Sequence, residues 1–383
     1  MLLKNLWIHD GLGRVDKRDI LIEDGKIVRI ADVIDGDGED MTGKHLLPGF
    51  IDPFTCWGIN GSMTEIRPSS EDNDELSDPV MPELDIRYAV NGRAMTVQQL
   101  GLYGLTAVGV TPTDSNIFGG RLAAYETDGI NPFKMLLKAD VGMKASVAKE
   151  IKQVYGKRGV APMTRMGVFQ KLGDQLRQAA AYDPAKEGVQ RNEKLAALKR
   201  VTDGELPLWI AADTALDRLQ IMELLEAYPK TKVVFTSCYD LQESDLGFDP
   251  ARVSFINGYD GMDMDARNRG KDYGILKQLL AGGFTVAVSG KAGMMYGRET
   301  QLWEGCHLAG ELNDPEETVS LMTAAGAKLL GIVDITGTVE EGKRADLTIW
   351  SEHPLTSFRA HVVRCMIAGR TIYAEGDAKK CYV

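Results

Sequence analysis

Histidine, cysteine and lysine are the side chains from which this chain could build a reactive centre, and the first two are scarce. The histidines are His9, His45, His307, His353 and His361; the cysteines are Cys56, Cys238, Cys306, Cys365 and Cys381. The cysteines are odd in number, widely scattered and without a C-x-x-C pair, as expected of reduced thiols rather than a disulfide framework. Cys56, Cys238 and His307 fall in segments that can end on one face, and thiolates with an imidazole suit zinc. Ordinary packing outweighs that reading, since free cysteine is among the most often buried residue types. A metal-free centre would draw on Lys291 and Asp213, because a desolvated lysine can act as a base or nucleophile. A solvated or ion-paired lysine is the commoner case. Ser289-Gly290-Lys291 is no phosphate loop, because Thr285 stands where G-x-x-x-x-G-K needs its first glycine.

The acidic groups are blander. Asp72, Asp74, Glu75 and Asp78 form one acidic run and Asp260, Asp263 and Asp265 another. Neither has EF-hand spacing, so both read as solvated loops. Trp57, Met294, Met295 and Trp303 lie near expected strand ends, where core packing explains them as well as a ligand pocket does.

Positioning such groups falls to a fold with two patterns. Leu2 to Ile8, Asp19 to Glu23 and Lys26 to Ile30 read as short strands, with Asp24-Gly25 as a tight hairpin turn. Ala345 to Trp350, Val362 to Ile367 and Thr371 to Ala374 repeat the style, with Gly369-Arg370 as the turn. Neither set has enough strands to hold a core alone, so residues 1–50 and 335–383 are expected to form one small β-sandwich domain. Between them, residues 51–334 alternate apolar strands with helical stretches, the signature of parallel βα units closing into a (β/α)8 TIM-type barrel of the α/β class. Its candidate strands are Leu46 to Ile51, Ala107 to Thr111, Pro207 to Ala211, Lys232 to Thr236, Arg252 to Asn257 and Thr285 to Ser289. Helices are expected over Leu216 to Tyr228, Tyr273 to Leu280 and Glu316 to Leu330. Met63 to Met81 and Val154 to Asn192 read as long polar loops above the barrel mouth. There is no internal repeat.

A formal charge of −11 on 383 residues repels phosphate backbones and anionic membrane surfaces. Nucleic acid and membrane are therefore not expected partners. The first 33 residues alternate apolar and charged side chains and contain no signal-peptide or membrane-span pattern, so a cytoplasmic protein is expected.

The run Leu46-Leu47-Pro48-Gly49-Phe50-Ile51-Asp52 resembles the first barrel strand of the amidohydrolase superfamily, where Pro-Gly-x-Ile-Asp leads into His-x-His. Thr336-Gly337-Thr338-Val339-Glu340-Glu341-Gly342-Lys343-Arg344-Ala345-Asp346-Leu347 resembles that family's entry into its terminal β domain. Ser77 to Leu84 and Pro162 to Gly167 are similar to segments of its imidazolonepropionase-like branch. Each match alone is modest, with turn glycines and a loop hydrogen bond to Asp346 as the plain explanation; order and spacing make the set specific.

The resemblance implies one or two divalent metals at the C-terminal mouth of the barrel, held by four histidines, an aspartate and often a bridging acid or carbamylated lysine. Those ligands are missing. Phe54-Thr55-Cys56 stands in place of His-x-His, Ala211 and Thr236 occupy the strand-five and strand-six histidine positions, and Gly290 takes the place of the final aspartate. Lys144 matches a lysine of this branch. Of the five histidines only His307 falls within the barrel. The expectation is a homologue that has lost its metal and needs no cofactor. It would serve as a structural, regulatory or binding subunit, assembled with itself or with an active relative, with a small-molecule ligand as a further reading. The alternative is an active C–N hydrolase on a cyclic amide or imidazolone, using a rebuilt site that includes Lys144, Asp213, Cys238, Lys291 and His307.

Overall fold

The computed structural model describes residues 1–59, 72–238, 240–258, 273–290 and 299–376. The N-terminal alternation folds as β1 (Leu2–His9), β2 (Val15–Glu23), β3 (Lys26–Ala31), β4 (Glu39–Asp40) and β5 (His45–Pro48). The β2–β3 turn is Asp24-Gly25, with φ of 48° and 77°. That left-handed pair is what a two-residue hairpin requires. The barrel strands are β6 (Phe50–Thr55), β7 (Leu105–Val110), β8 (Phe118–Glu126), β9 (Leu136–Ser146), β10 (Leu208–Ala211), β11 (Val233–Thr236), β12 (Val253–Gly258) and β13 (Thr285–Ser289). The chain closes with β14 (Leu347–Trp350), β15 (Val362–Ile367) and β16 (Arg370–Ala374), the last two joined at Ala368-Gly369, one residue earlier than expected.

Both chain ends share one sheet in the order β16-β15-β14-β5-β1-β2-β3, with β4 also paired to β1. Where a sandwich is expected, these strands make one continuous hydrogen-bonded path. Leu3, Leu6, Leu46, Ile349 and Met366 form its buried face. The chain passes from this sheet to the barrel at Gly49, so the strand expected over Leu46 to Ile51 is two strands. A Cβ on Gly49 would lie 2.1 Å from Thr106 Oγ1, an approach only glycine permits.

The second sheet runs β13-β12-β11-β10-β9-β8-β7-β6. Its pairs are parallel except β7–β8 and β8–β9, which are antiparallel. This departs from the expected series of parallel βα units. The connections 111–117 and 127–135 carry no crossover helix, and a strand joined that way must run back on its neighbour. Side chains close the ring between β13 and β6. Gln301 Nε2 donates to Ile51 O and Val288 O at 2.9 Å each, and Ser289 Oγ donates to Phe54 O at 3.0 Å.

Helices cover the outside. The short turns α1 (Met95–Gln98) and α2 (Pro132–Met135) are followed by α3 (Lys149–Lys157), α4 (Arg165–Ala181), α5 (Glu193–Thr202), α6 (Ala215–Leu224), α7 (Tyr273–Ala281), α8 (Thr300–Leu312), α9 (Pro315–Met322) and α10 (Ala324–Leu330). Residues 154–192, expected as a loop, thus contain part of α3 and all of α4. Val168, Leu172, Leu176 and Ala179 give α4 a buried stripe at helical spacing, which offsets its many polar residues. The helix expected over Glu316 to Leu330 breaks at Thr323, whose Oγ1 donates to Val319 O at 2.7 Å.

Alternate strand residues sort into two cores. Met143, Ile210, Phe235 and Phe255 pack outward against the helices. Ile51, Phe54, Leu122, Val141, Trp209 and Ile256 fill the lumen above Ala327 and Leu330 of α10. Trp209 is the bulkiest, and a Cβ on Gly142 would stand 2.2 Å from its ring.

Candidate active site at the barrel mouth

Strands β6, β7 and β9 to β13 all end at the same rim, which places the C-terminal residues of each around one opening. Phe54 and Lys144 both face inward, the Lys144 Nζ lying 5.3 Å from the centre of the Phe54 ring. Lys144 is fully buried, and its Nζ donates to Asp114 Oδ1 at 2.5 Å and to Ala145 O at 2.9 Å. Asp114 comes from the loop between β7 and β8. A buried ammonium without such partners would be strongly unfavourable, so this pair is what allows a lysine inside the ring.

The other positions carry no comparable donors. Cys56 is half-buried with its Sγ 3.5 Å from Thr111 O. Ala211 offers a methyl group. Thr236 is buried, and its Oγ1 has no hydrogen-bond partner among the described residues; the same holds for Ser237 Oγ beside it and for Trp57 Nε1. Ser237 has φ of 65°, so the chain leaves β11 through a left-handed residue. Gly290 donates its N–H to Asp52 Oδ2 at 2.9 Å, and a Cβ there would be 2.7 Å from Gln301 N and 3.1 Å from Thr300 Cβ. Asp52 is buried at the seam, and desolvation pushes its carboxyl up to about 6 despite bonds from Ser289, Gly290 and Phe54.

The remaining candidates do not converge here. Cys238 is buried in the outer core, donates weakly to Phe235 O at 3.4 Å, and burial pushes its thiol up to about 12. His307 is exposed on α8, with Nε2 2.8 Å from the Tyr273 hydroxyl of α7. Asp213 accepts from Lys149 N at 2.9 Å, an anion set against the first turn of α3. Lys291, the acidic run Asp260, Asp263 and Asp265, Met294, Met295 and Cys381 lie outside the described residues, as does part of the Met63 to Met81 stretch. Trp57 is buried in the core and Trp303 is exposed on α8.

The donor chemistry of these positions does not fit the divalent ions that the family resemblance implies. A phenyl ring, a methyl and an unpaired hydroxyl stand at three of the ligand positions, and the glycine at a fourth has no room for a side chain. Among the described residues, one group of three histidine, cysteine or acidic side chains does converge: His9, Glu316 and His353, whose ligand atoms all lie within 4.8 Å of one another. Sequence reading set these histidines aside as lying beyond the barrel's ends. No local spacing links them, since His9 and His353 are brought together only by the pairing of both chain ends in one sheet.

The amidohydrolase family model matches residues 253–372. The fold is similar to the crystal structure of an amidohydrolase from Thermotoga maritima MSB8, with a TM-score of 0.86 and 24% identity over 97% of this chain and 99% of that one. It is also similar to an adenosine deaminase from Xanthomonas campestris with bound zinc, with a TM-score of 0.55 and 14% identity over 97% and 92%. Among curated proteins, an N-acetylglucosamine-6-phosphate deacetylase from Lysinibacillus sphaericus is 40% identical over 55 residues, 14% of each chain. A dihydroorotase from Listeria monocytogenes is 43% identical over 54 residues, 13% of each chain. The alignments thus span about a seventh of those relatives. The architecture is that of a mixed α/β protein with a TIM-type barrel. The amidohydrolase family match, over residues 253–372, and the fold shared with the Thermotoga maritima amidohydrolase are what the chain has in common with that superfamily. Among the described residues no helix is long and apolar enough to cross a membrane.

Proposed function

We propose that this chain is a non-catalytic amidohydrolase homologue, a binding or regulatory subunit that keeps the barrel and its mouth but not the metal-dependent hydrolysis. The observation that carries the reading is Gly290. The place of the missing aspartate is occupied by the first turn of α8, and the backbone N–H of Gly290 is spent on Asp52. The paired Lys144 and Asp114 hold the centre of the mouth. Thr236 Oγ1 and Ser237 Oγ, at the end of β11 and without a hydrogen-bond partner among the described residues, offer hydrogen bonds to a small polar ligand. The four described cysteines are free thiols, which suits a cytoplasmic protein. Assembly with itself or with an active relative belongs to the same proposal.

The experiment is a hydrolysis panel of cyclic amides, an imidazolone and N-acetylated amino sugars, run on the purified chain with and without added zinc, manganese or iron(II). The expected result is no turnover above the buffer rate. Turnover that saturates and disappears in Lys144→Met would establish the alternative, a C–N hydrolase with a rebuilt centre. Native mass measurement, alone and with candidate relatives, tests the subunit role; a monomer that takes no partner removes it.

A further inference from the structure

We propose that His9, Glu316 and His353 form a divalent-metal site of the zinc class, remote from the barrel mouth, that ties both ends of the chain to helix α9. His9 ends β1, His353 follows β14, and Glu316 is in the first turn of α9. Their side chains are 2%, 11% and 21% exposed respectively. His9 Nδ1 stands 2.9 Å from both Glu316 oxygens, and His353 Nε2 stands 3.1 Å from Oε1. Zinc bonded at about 2.0 Å in a tetrahedron separates its ligand atoms by about 3.3 Å. The two histidine–glutamate distances need to open by only a few tenths of an ångström, and the two imidazole nitrogens, within 4.8 Å of each other, are brought to that spacing by ring rotation. Two imidazoles and one carboxylate leave a fourth position for water, and that donor set suits zinc, cobalt or nickel ahead of calcium or magnesium.

The surroundings support ligation. His9 Nε2 is 2.9 Å from His45 Nδ1, so His9 bound through Nδ1 would donate its remaining N–H to His45. An acceptor on the far ring nitrogen is the usual orienting partner of a metal-bound histidine. The three rings pack together, His9 stacking on His45 at 5.2 Å and meeting His353 edge-on at 4.9 Å. One contact changes. Leu355 N–H donates to His353 Nδ1 at 3.2 Å, which places the ring proton on Nε2 when no metal is bound. Binding through Nε2 moves that single ring proton to Nδ1, with no net release from the neutral ring, and gives up this long hydrogen bond.

The cluster is distinct from the mouth. Glu317 and Ser320 of α9 line a cleft with Gly283, Phe284 and Thr285, where β13 begins, and strands present their starts at the end of the ring opposite the mouth. The inference therefore stands or falls separately from the reading of the mouth.

The test uses the full chain, stripped with EDTA and titrated with zinc sulfate by calorimetry and with cobalt(II) by visible absorption. The expected result is one equivalent per chain, low-symmetry cobalt bands, and binding weakened at least tenfold in Glu316→Gln and in His353→Asn. In the wild-type chain uniformly labelled with 15N, zinc should shift the ring signals of His9 and His353 and the amide of Leu355, and leave His307 and His361 unmoved. That readout holds even if a variant fails to fold. Absence of binding below millimolar zinc, or ring signals that do not move, would mean a hydrogen-bonded cluster only and would overturn the proposal. Stoichiometric zinc that leaves these rings unmoved would overturn it too, and would place the ion elsewhere, against the non-catalytic reading of the mouth if activity accompanied it.

Discussion

Restoring the family's missing carboxylate by Gly290→Asp gives the sharpest test of how this mouth is built. The new Cβ would meet Gln301 N at 2.7 Å and Thr300 Cβ at 3.1 Å, both on the first turn of α8, where backbone cannot swing aside as a flexible side chain can. Overpacking of this kind costs about 1–3 kcal/mol. Displacing α8 also strains the two bonds from Gln301 Nε2 to Ile51 O and Val288 O and the bond from Gly290 N to Asp52, each contributing about 1 kcal/mol. A second carboxylate beside Asp52 adds like-charge repulsion. The sum is a loss of about 3–6 kcal/mol, a large share of the about 5–15 kcal/mol that holds a folded domain. The assay is reversible urea unfolding of wild type, Gly290→Ala and Gly290→Asp, with zinc measured by elemental analysis after dialysis. Gly290→Ala separates the steric part from the charge. A Gly290→Asp protein within 0.5 kcal/mol of wild type (roughly the limit for neutral surface changes) that also acquired zinc in the barrel would refute the reasoning.

Three further outcomes follow from the same interior. Asp52 holds its proton more tightly in the fold, at about 6, than at its ordinary value of 3.8. Its contribution to stability is therefore complete below about pH 4 and is lost as pH rises through 6, by about 3 kcal/mol. Asp52→Asn should flatten that fall in unfolding curves taken from pH 4 to 7.5, and parallel curves for the two proteins would contradict it. Lys144→Met removes the cation facing Asp114 and should cost about 3–5 kcal/mol. Adding Asp114→Asn should recover part of that loss in a double-mutant cycle, and strict additivity would show the pair to be uncoupled. Gly142→Ala pushes a methyl to 2.2 Å from the Trp209 ring and should destabilise by about 2–3 kcal/mol, with partial rescue by Trp209→Leu; an unchanged melting temperature would show that the lumen is looser than described.

Much of the fold was legible because its signals are local. Asp24-Gly25 marks its hairpin by residue type, and short β-branched runs such as Lys232 to Thr236 and Thr285 to Ser289 mark central strands. Strand β8 was not legible, since Phe118-Gly119-Gly120-Arg121 neither alternates nor runs apolar, and its reversal depends on loop lengths between strands that had not been delimited. Helix α4 had a visible stripe at Val168, Leu172 and Leu176, but Pro162, Gly167 and Gly173 in the same stretch masked it. At the mouth, positions 54, 56, 211, 236 and 290 could be picked out through the resemblance to the amidohydrolase superfamily, and their residue types read directly. That Asp114 neutralises Lys144, and that α8 fills the space beside Gly290, could not, since both depend on long-range packing. The outward placing of Cys238 and His307 likewise follows from which face of a strand end or helix meets the core. The trio of His9, Glu316 and His353 was hidden most completely, its members lying up to 344 residues apart.

The reversed strand carries a consequence of its own. In a ring whose neighbours all point one way, the link after β7 would pass over the rim as a loop and then descend as a helix along the outside. Turning back at once instead leaves a short arch, residues 111–117, directly over the opening, and Asp114 rides on it. The anion that quiets the lysine is thus supplied by a change of chain direction, and any relative whose third barrel strand runs with the others must find another counter-charge or give up the lysine.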